Sequence, residues 1–349
     1  AGIGLGLGLY GCAASSAKIQ PGIAGDPAYI ARLKVKHPES IRILQFTDLH
    51  FFGTRNFEAK GKLNERTAVD MKKLVALTHP DLLLVTGDLW SDHPESQLEK
   101  YMMFCVDLCD SLGVPWAFSW GNHDQLNDFN AGHQYLTKAA HSLYRGADTN
   151  GNYVVELTDK KGTPIWQVLC LNTEEKGIGP EQQQWLRTAE PVLAQRASGS
   201  VPGRFAAFHI PIRQYGEVWH NGTAHGIIAE EPCISEEDGS SLALLKSLGV
   251  RACFCGHDHV NDFSGVLDGV DLIYGRATGW GGYGAPIVPK GGKLITLNGR
   301  TGEYQWVSVL PDGARWTPGA GERVDKIAEK KKLDAEEKAK KTRRKSQNG

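Results

Sequence analysis

No run of eighteen apolar residues occurs in this sequence, so no stretch of it reads as a membrane-spanning helix. Net charge is almost absent as well. Thirty-nine Lys and Arg against 40 Asp and Glu give −1, so no overall field draws the chain to nucleic acid or an anionic membrane. None of the seven cysteines falls in a Cys-x-x-C pair, which argues against a structural zinc knot. There is no repeat at solenoid periods. Apolar residues are in normal supply, at 41% hydrophobic with 23% charged, and that balance excludes a largely disordered chain. A length of 349 residues suffices for one large domain or two ordinary ones.

The near-neutral total hides an asymmetry, because residues 322–345 carry a local +5 and the remainder −6. Three segments follow from composition: an N-terminal segment 1–39, a large α/β domain 40–312, and a basic Lys/Glu-rich tail 313–349. The first eleven residues are apolar and glycine-rich and end at Cys12. That pattern resembles the end of a bacterial lipoprotein signal, although Tyr10 is unusual in it, and small residues after a short apolar run also suit ordinary signal cleavage. Either implies export, as a periplasmic or secreted chain or as one tethered to a membrane through a lipidated Cys12. The alternative is a cytoplasmic chain with an irregular N-terminus. The tail reads as a solvated helix and not as a nucleic-acid arm, and no specific nucleic-acid partner is expected.

Ordered structure is expected from about residue 40. Residues 41–46, 81–85 and 115–119 read as buried strands. Helical spacing runs through Val69, Leu74, Val75 and Leu77 in 64–78. In 94–112 it runs through Leu98, Tyr101, Met102, Cys105, Leu108 and Cys109. Later strands are expected at 153–157, 165–171, 205–208, 252–255, 272–274, 293–297 and 304–309, with helices at 180–197 and 240–248. Strand–helix–strand alternation implies parallel pairing with right-handed crossovers. Cys105 with Cys109, and Cys253 with Cys255, share faces of apolar runs and read as buried small hydrophobes.

Every notable polar cluster follows one of these strands: Thr47-Asp48-Leu49-His50, Gly87-Asp88, Gly121-Asn122-His123-Asp124, His209, and Gly256-His257-Asp258-His259. Ligands of open α/β sheets bind beyond the carboxyl ends of the strands. The set is oxygen and imidazole nitrogen without thiolate, a mixture that suits iron, manganese or zinc. A single His or Gly-Asp after a strand is ordinarily structural; five together at one sheet edge are not.

In order and type these blocks resemble the calcineurin-like metallophosphoesterase superfamily: D-x-H, G-D, G-N-H-D/E, a lone His, then G-H-x-H. The resemblance covers roughly residues 40–310. Asn261-Asp262-Phe263 and the run from Tyr274-Gly-Arg276 to Gly282-Tyr283-Gly resemble the branch of small purple-acid-phosphatase-like proteins. The resemblance implies a β-sandwich of mixed sheets flanked by helices, with a two-metal site at the strand ends. Asp48, His50 and His259 would hold one ion and Asp88 would bridge to a second, which Asn122, His209 and His257 would complete. A carboxylate can bridge because its single charge serves two adjacent cations. The pairs Asp48/His50 and His257/His259 are spaced by two, so an extended backbone would aim both members at one site, and Gly87, Gly121 and Gly256 would let it turn tightly.

The implied chemistry is hydrolysis of phosphate esters by a metal-bound hydroxide, with monoesters favoured over diesters. His123 would be catalytic and not a ligand, its imidazole stabilising the phosphoryl group or giving a proton to the leaving oxygen. Asp124 and Asp92 are both candidates to orient it, and spacing cannot choose between them. Two departures narrow the subtype. Purple acid phosphatases have Gly where His50 stands and Tyr where Ser91 stands, so no phenolate ligand and no purple band are expected. The G-D-x-x-D-R-G run of protein serine/threonine phosphatases is also missing. Arg213, His225 and Arg276 are candidate substrate residues, an arginine because it takes phosphate bidentately. The rival reading is an inactive binding protein on the same fold; a third is a nuclease.

Overall fold

A computed structural model describes residues 15, 17–22, 25–53, 57–197, 203–234 and 237–331. The stretch around Cys12, where lipidation is an expectation from sequence, and the end of the tail, residues 332–349, lie outside the described residues. Among the described residues no helix is long and apolar enough to cross a membrane.

Two sheets pack face to face. Among the described residues the smaller has six strands in the order β15 (Arg315–Trp316), β14 (Tyr304–Val309), β13 (Gly292–Leu297), β3 (Ile41–Phe46), β4 (Leu82–Thr86) and β5 (Trp116–Ser119). The expected parallel trio β3–β4–β5 is present, and β13 runs antiparallel to β3. Among the described residues the larger sheet has ten strands. Its order is β1 (Lys18–Gln20), β2 (Ile30–Lys34), β6 (Tyr153–Thr158), β7 (Pro164–Cys170), β8 (Arg204–Ala207), β10 (Val250–Cys255), β12 (Val270–Tyr274), β11 (Asp262–Leu267), β9 (His225–Ile228) and β16 (Arg323–Asp325). Strands β7, β8, β10 and β12 are parallel, while β11 runs antiparallel to both β12 and β9. This is a mixed-sheet α/β sandwich, as expected.

Strands buried on both faces explain the continuous apolar runs. Phe205 and Ala207 of β8, with Ala252 and Phe254 of β10, pack in the core between the sheets. Ala206, Phe208, Cys253 and Cys255 point the other way, into a second core. That second core is roofed by α4 (Pro180–Ala197), α5 (Gln214–His220) and α6 (Ser241–Ser247). Helices α1 (Phe57–Thr78), α2 (Leu98–Ser111) and α3 (Phe129–Lys138) contribute to the first core. The sheets are also tied by polar bonds, from Ser119 Oγ to the Ala207 carbonyl (3.1 Å) and from Gln45 Nε2 to the Cys255 carbonyl (3.0 Å).

Three expectations need correction. Ordered structure begins well before residue 40, since β2 runs parallel to β6 over five residue pairs. Its sequence, IARLK, is short and interrupted by charge, so only pairing with an interior strand reveals it. The chain also does not leave the sheets at 312, because β15 pairs with β14 and β16 with β9. On α1, Val69 and Leu77 are exposed, and the buried stripe is Ala68, Met71, Leu74 and Val75.

Candidate metal centre

The motif residues sit where β3, β4, β5, β8 and β10 end, and they converge. Asp48, His50, Asp88 and His259 each offer one ligand atom within 4.8 Å of the others, and Asp88, His209 and His257 form a second such group. Asp88 belongs to both. Its Oδ2 lies 3.3 Å from His50 Nε2 and 3.2 Å from His209 Nε2, the position a bridging carboxylate needs. In the first group His259 Nε2 lies 3.4 Å from Asp48 Oδ1 and 3.0 Å from His50 Nε2. In the second, Asn122 Oδ1 is 3.1 Å and His257 Nδ1 3.3 Å from His209 Nε2.

The local backbone is not the extended segment that the spacing suggested. Asp48, His50, Asp88 and His257 all have positive φ, at 52°, 45°, 52° and 78°. Side chains other than glycine's visit that region at a cost of about 1–3 kcal/mol each, and here the cost falls on four candidate ligands. Sharp left-handed kinks, not strand alternation, turn Asp48 and His50 to the same point. Backbone bonds hold the kinks, from Asp48 N–H to the Gly87 carbonyl and from His50 N–H to the Asp88 carbonyl. Gly121 and Gly256 serve close approach more than turning. A Cβ at Gly121 would collide with Asp88, and one at Gly256 with Thr47 and Asp48.

Further bonds aim the donors. His209 Nδ1 faces the Thr86 carbonyl at 2.8 Å, directing Nε2 inward. Asp88 Oδ1 accepts the His123 N–H at 2.9 Å, and Asp48 accepts the His257 N–H. Burial alone would raise the Asp88 carboxyl, but the charges of His209 and His50 outweigh it and hold Asp88 well below the usual range. Burial likewise opposes charge on His209, yet Asp88 and Asp48 lift it to about 10. His257, buried beside His209, is lowered to about 4.

These residues fit a pair of cations. Two imidazole nitrogens facing each other at 3.0 Å beside two ionised carboxylates need positive charge between them, and the donors are those that manganese, iron and zinc accept. The family model for calcineurin-like phosphoesterases matches residues 41–261, the span that holds all of them.

The chain belongs to the calcineurin-like phosphoesterase family.

It is 26% identical over 321 residues to a protein of Arabidopsis thaliana named probable inactive purple acid phosphatase 28, covering 79% of this chain and 80% of that one. It is 24% identical over 270 residues to phosphatase DCR2 of Saccharomyces cerevisiae, covering 66% of this chain and 46% of that one. A solved dimetal phosphatase from Danio rerio aligns over 77% of this chain and 98% of its own, at 13% identity and a TM-score of 0.49. A likeness that distant has no bearing on function.

In this chain the choice left open by spacing falls on Asp92. His123 Nδ1 lies 3.1 Å from Asp92 Oδ2, with the imidazole 40% exposed beside His50. Asp124 faces elsewhere: its carboxylate accepts the N–H groups of Leu89, Trp90 and Gly121, clamping two motif loops together. Burial and the neighbouring Asp88 raise it to about 8. It is a structural clamp and not the partner of His123.

The substrate candidates fare differently. Arg276 is 3% exposed, and its guanidinium is bound to Asp262 and to the Pro289 carbonyl, so it is committed to the fold. Arg213 is exposed but gives its guanidinium to the Glu237 carbonyl. His225, on β9, faces Ser264 Oγ at 3.4 Å. Neither is in a ligand cluster. Sequence reasoning passed over Glu230, which no motif marks; its carboxylate receives the hydroxyl of Tyr283, whose ring stacks on His259.

Proposed function

We propose that this chain hydrolyses phosphate esters at a two-metal centre formed by Asp48, His50, Asp88, Asn122, His209, His257 and His259. The observation that carries the reading is the sharing of Asp88 by two ligand clusters, with every position of the five motif blocks filled. The word inactive in the name of the Arabidopsis relative favours a second reading, a binding protein that keeps the fold. The complete ligand set and the His123–Asp92 pair weigh against it.

When bound, the cation pair would neutralise charge on the phosphoryl oxygens and lower the pKa of a coordinated water. The chain itself must then bind the ester, keep the ligands fixed and manage one proton at the leaving oxygen. His123 is placed for the last of these tasks. Its Nδ1–H is given to Asp92, which fixes the ring and leaves Nε2 to hold or release a proton toward the substrate. Asp88 links the two tasks, since its Oδ2 faces the ligand histidines while its Oδ1 takes the backbone N–H of His123.

The test is turnover of p-nitrophenyl phosphate and of its bis ester by metal-stripped protein supplied with manganese, iron or zinc, with and without chelator. Hydrolysis that needs the metal supports the proposal, and the ratio of the two rates assigns monoester or diester preference. Stoichiometric metal uptake with no turnover of either ester would favour the binding protein.

A further inference from the structure

Histidines that ligate a metal usually donate their second ring N–H to a carboxylate or carbonyl, which fixes the ring. His209 follows that rule through the Thr86 carbonyl. His259 does not. Its Nε2 faces Asp48 and His50, but its Nδ1 is buried and has no hydrogen-bond partner among the described residues. The Nδ1 side is closed by Gly282, where a Cβ would strike the His259 ring. Something other than a hydrogen bond must therefore hold this imidazole.

Tyr283 covers it. The two rings are stacked, with centroids 4.0 Å apart and planes 14° from parallel. The tyrosine is itself anchored at two points. Its hydroxyl donates to the Glu230 carboxylate, 2.8 Å from both oxygens, and its carbonyl accepts from Lys290 Nζ at 2.6 Å. Glu230 is tied to the histidine's own segment, since its Oε1 accepts the Val260 N–H and its backbone N–H is given to Asn261 Oδ1. The links close a ring through His259, Val260, Glu230 and Tyr283. Glycines 279, 281 and 282 let this segment lie against Leu49, His50 and His259, where a Cβ would collide. The hydroxyl is used by Glu230, so Tyr283 meets His259 with its face and not as an oxygen ligand.

We infer that Tyr283, latched by Glu230, is the positioning residue that holds His259 as a metal ligand in place of the missing hydrogen bond. The inference rests on reading the cluster as a metal centre, and it adds the means by which one ligand of one ion is kept in register. It also accounts for a large aromatic ring left 52% exposed on a glycine-rich loop.

The experiment is a calorimetric and spectroscopic titration of the metal-stripped full chain with Co(II), whose visible bands report ligand geometry. Wild type should bind two ions. Tyr283→Ala should weaken one of them by about 10- to 100-fold, the usual cost of losing such a support, and should change the Co(II) spectrum. Tyr283→Trp, which restores a stacking face, should recover most of the affinity. Tyr283→Phe and Glu230→Gln keep the ring and loosen the latch, so each should cost several-fold, and the double variant no more than either alone. These two milder variants carry the test if Tyr283→Ala does not fold by circular dichroism. Wild-type affinities and spectrum in Tyr283→Ala, or in both milder variants, would overturn the inference. A wild-type chain that binds two ions but hydrolyses nothing would sink the phosphoesterase reading and leave this one standing. Failure to bind any ion would end both.

Discussion

Arg276 offers a sharp contrast between a substrate ligand and a structural ion, and its partner Asp262 is the place to test it. Asp262 and Lys293 are fully buried and Arg276 is 3% exposed. The Asp262 carboxylate takes the Arg276 guanidinium at 2.6 and 2.7 Å, Lys293 Nζ at 2.6 Å and Ser308 Oγ at 2.8 Å. Asp262→Ala removes one anion and strands two buried cations. Breaking a buried pair from one side costs about 3–5 kcal/mol. At roughly 2.1 cal/mol/K per residue, a chain of this size has an unfolding entropy near 0.7 kcal/mol/K, so Tm should fall by about 4–7 °C.

Thermal and urea unfolding of Asp262→Ala and Arg276→Gln, with KM for an aryl phosphate, decides the matter. Both variants should melt early with KM unchanged. The pH dependence has a fixed sign. Burial works against the Asp262 charge, but Lys293 and Arg276 outweigh it and hold its carboxyl below the usual range. The folded value is thus under the unfolded one, and the stabilisation is present above the unfolded value. The gap between wild type and Asp262→Ala should be constant from neutral to mildly acid pH and close only as pH falls through the folded value. An Arg276→Gln protein with wild-type Tm and a raised KM would refute the structural assignment and return Arg276 to the substrate.

Removing the imidazole of His123 (His123→Ala) should lower kcat by on the order of 10²–10⁴-fold while leaving metal content unchanged, with a smaller loss for a more acidic phenol leaving group; metals lost in step with activity would mean that the residue is structural. Asp88→Asn keeps the shape but not the charge shared by both clusters, and elemental analysis should find at least one ion gone and activity with it. Because Asp88 and Asp48 lift His209 to about 10 in the metal-free chain, an entering cation must displace its proton at neutral pH. Uptake should tighten as pH rises, and calorimetry in buffers of different ionisation enthalpy should register the release; no buffer dependence would count against it.

Much of the site is legible in the sequence because its residues are tied to strand ends, and strand ends are visible as apolar runs that stop at glycine or at a polar cluster. The illegible part is conformational or pairwise. Positive φ at Asp48, His50, Asp88 and His257 is imposed by the packing around them and leaves no compositional trace. The choice between Asp92 and Asp124 depends on which carboxylate the backbone amides of residues 89, 90 and 121 capture. Arg276 resembled a phosphate ligand because its neutralising partner Asp262 lies fourteen residues away on an adjoining strand. The helix α3 escaped notice because its sequence, FNAGHQYLTK, carries a glycine and few apolar residues, and it buries only Gly132, His133 and Leu136.

The two outermost strands of the large sheet come from opposite ends of the described chain: β1 from residues 18–20 and β16 from 323–325. Each acts as a selvedge on a fabric that would otherwise fray. Cutting at residue 312 would strip β16 from β9, bare the backbone of residues 226–228, and release Arg323 from the Trp219 carbonyl and ring. A freshly bared strand is a template for a neighbour's strand, so a fragment trimmed to the motif-bearing span 40–312, which also loses β1 and β2 and bares β6, should self-associate, whereas one that spans 15–331 should not. Anyone shortening this protein for crystals or assays has little slack at either hem.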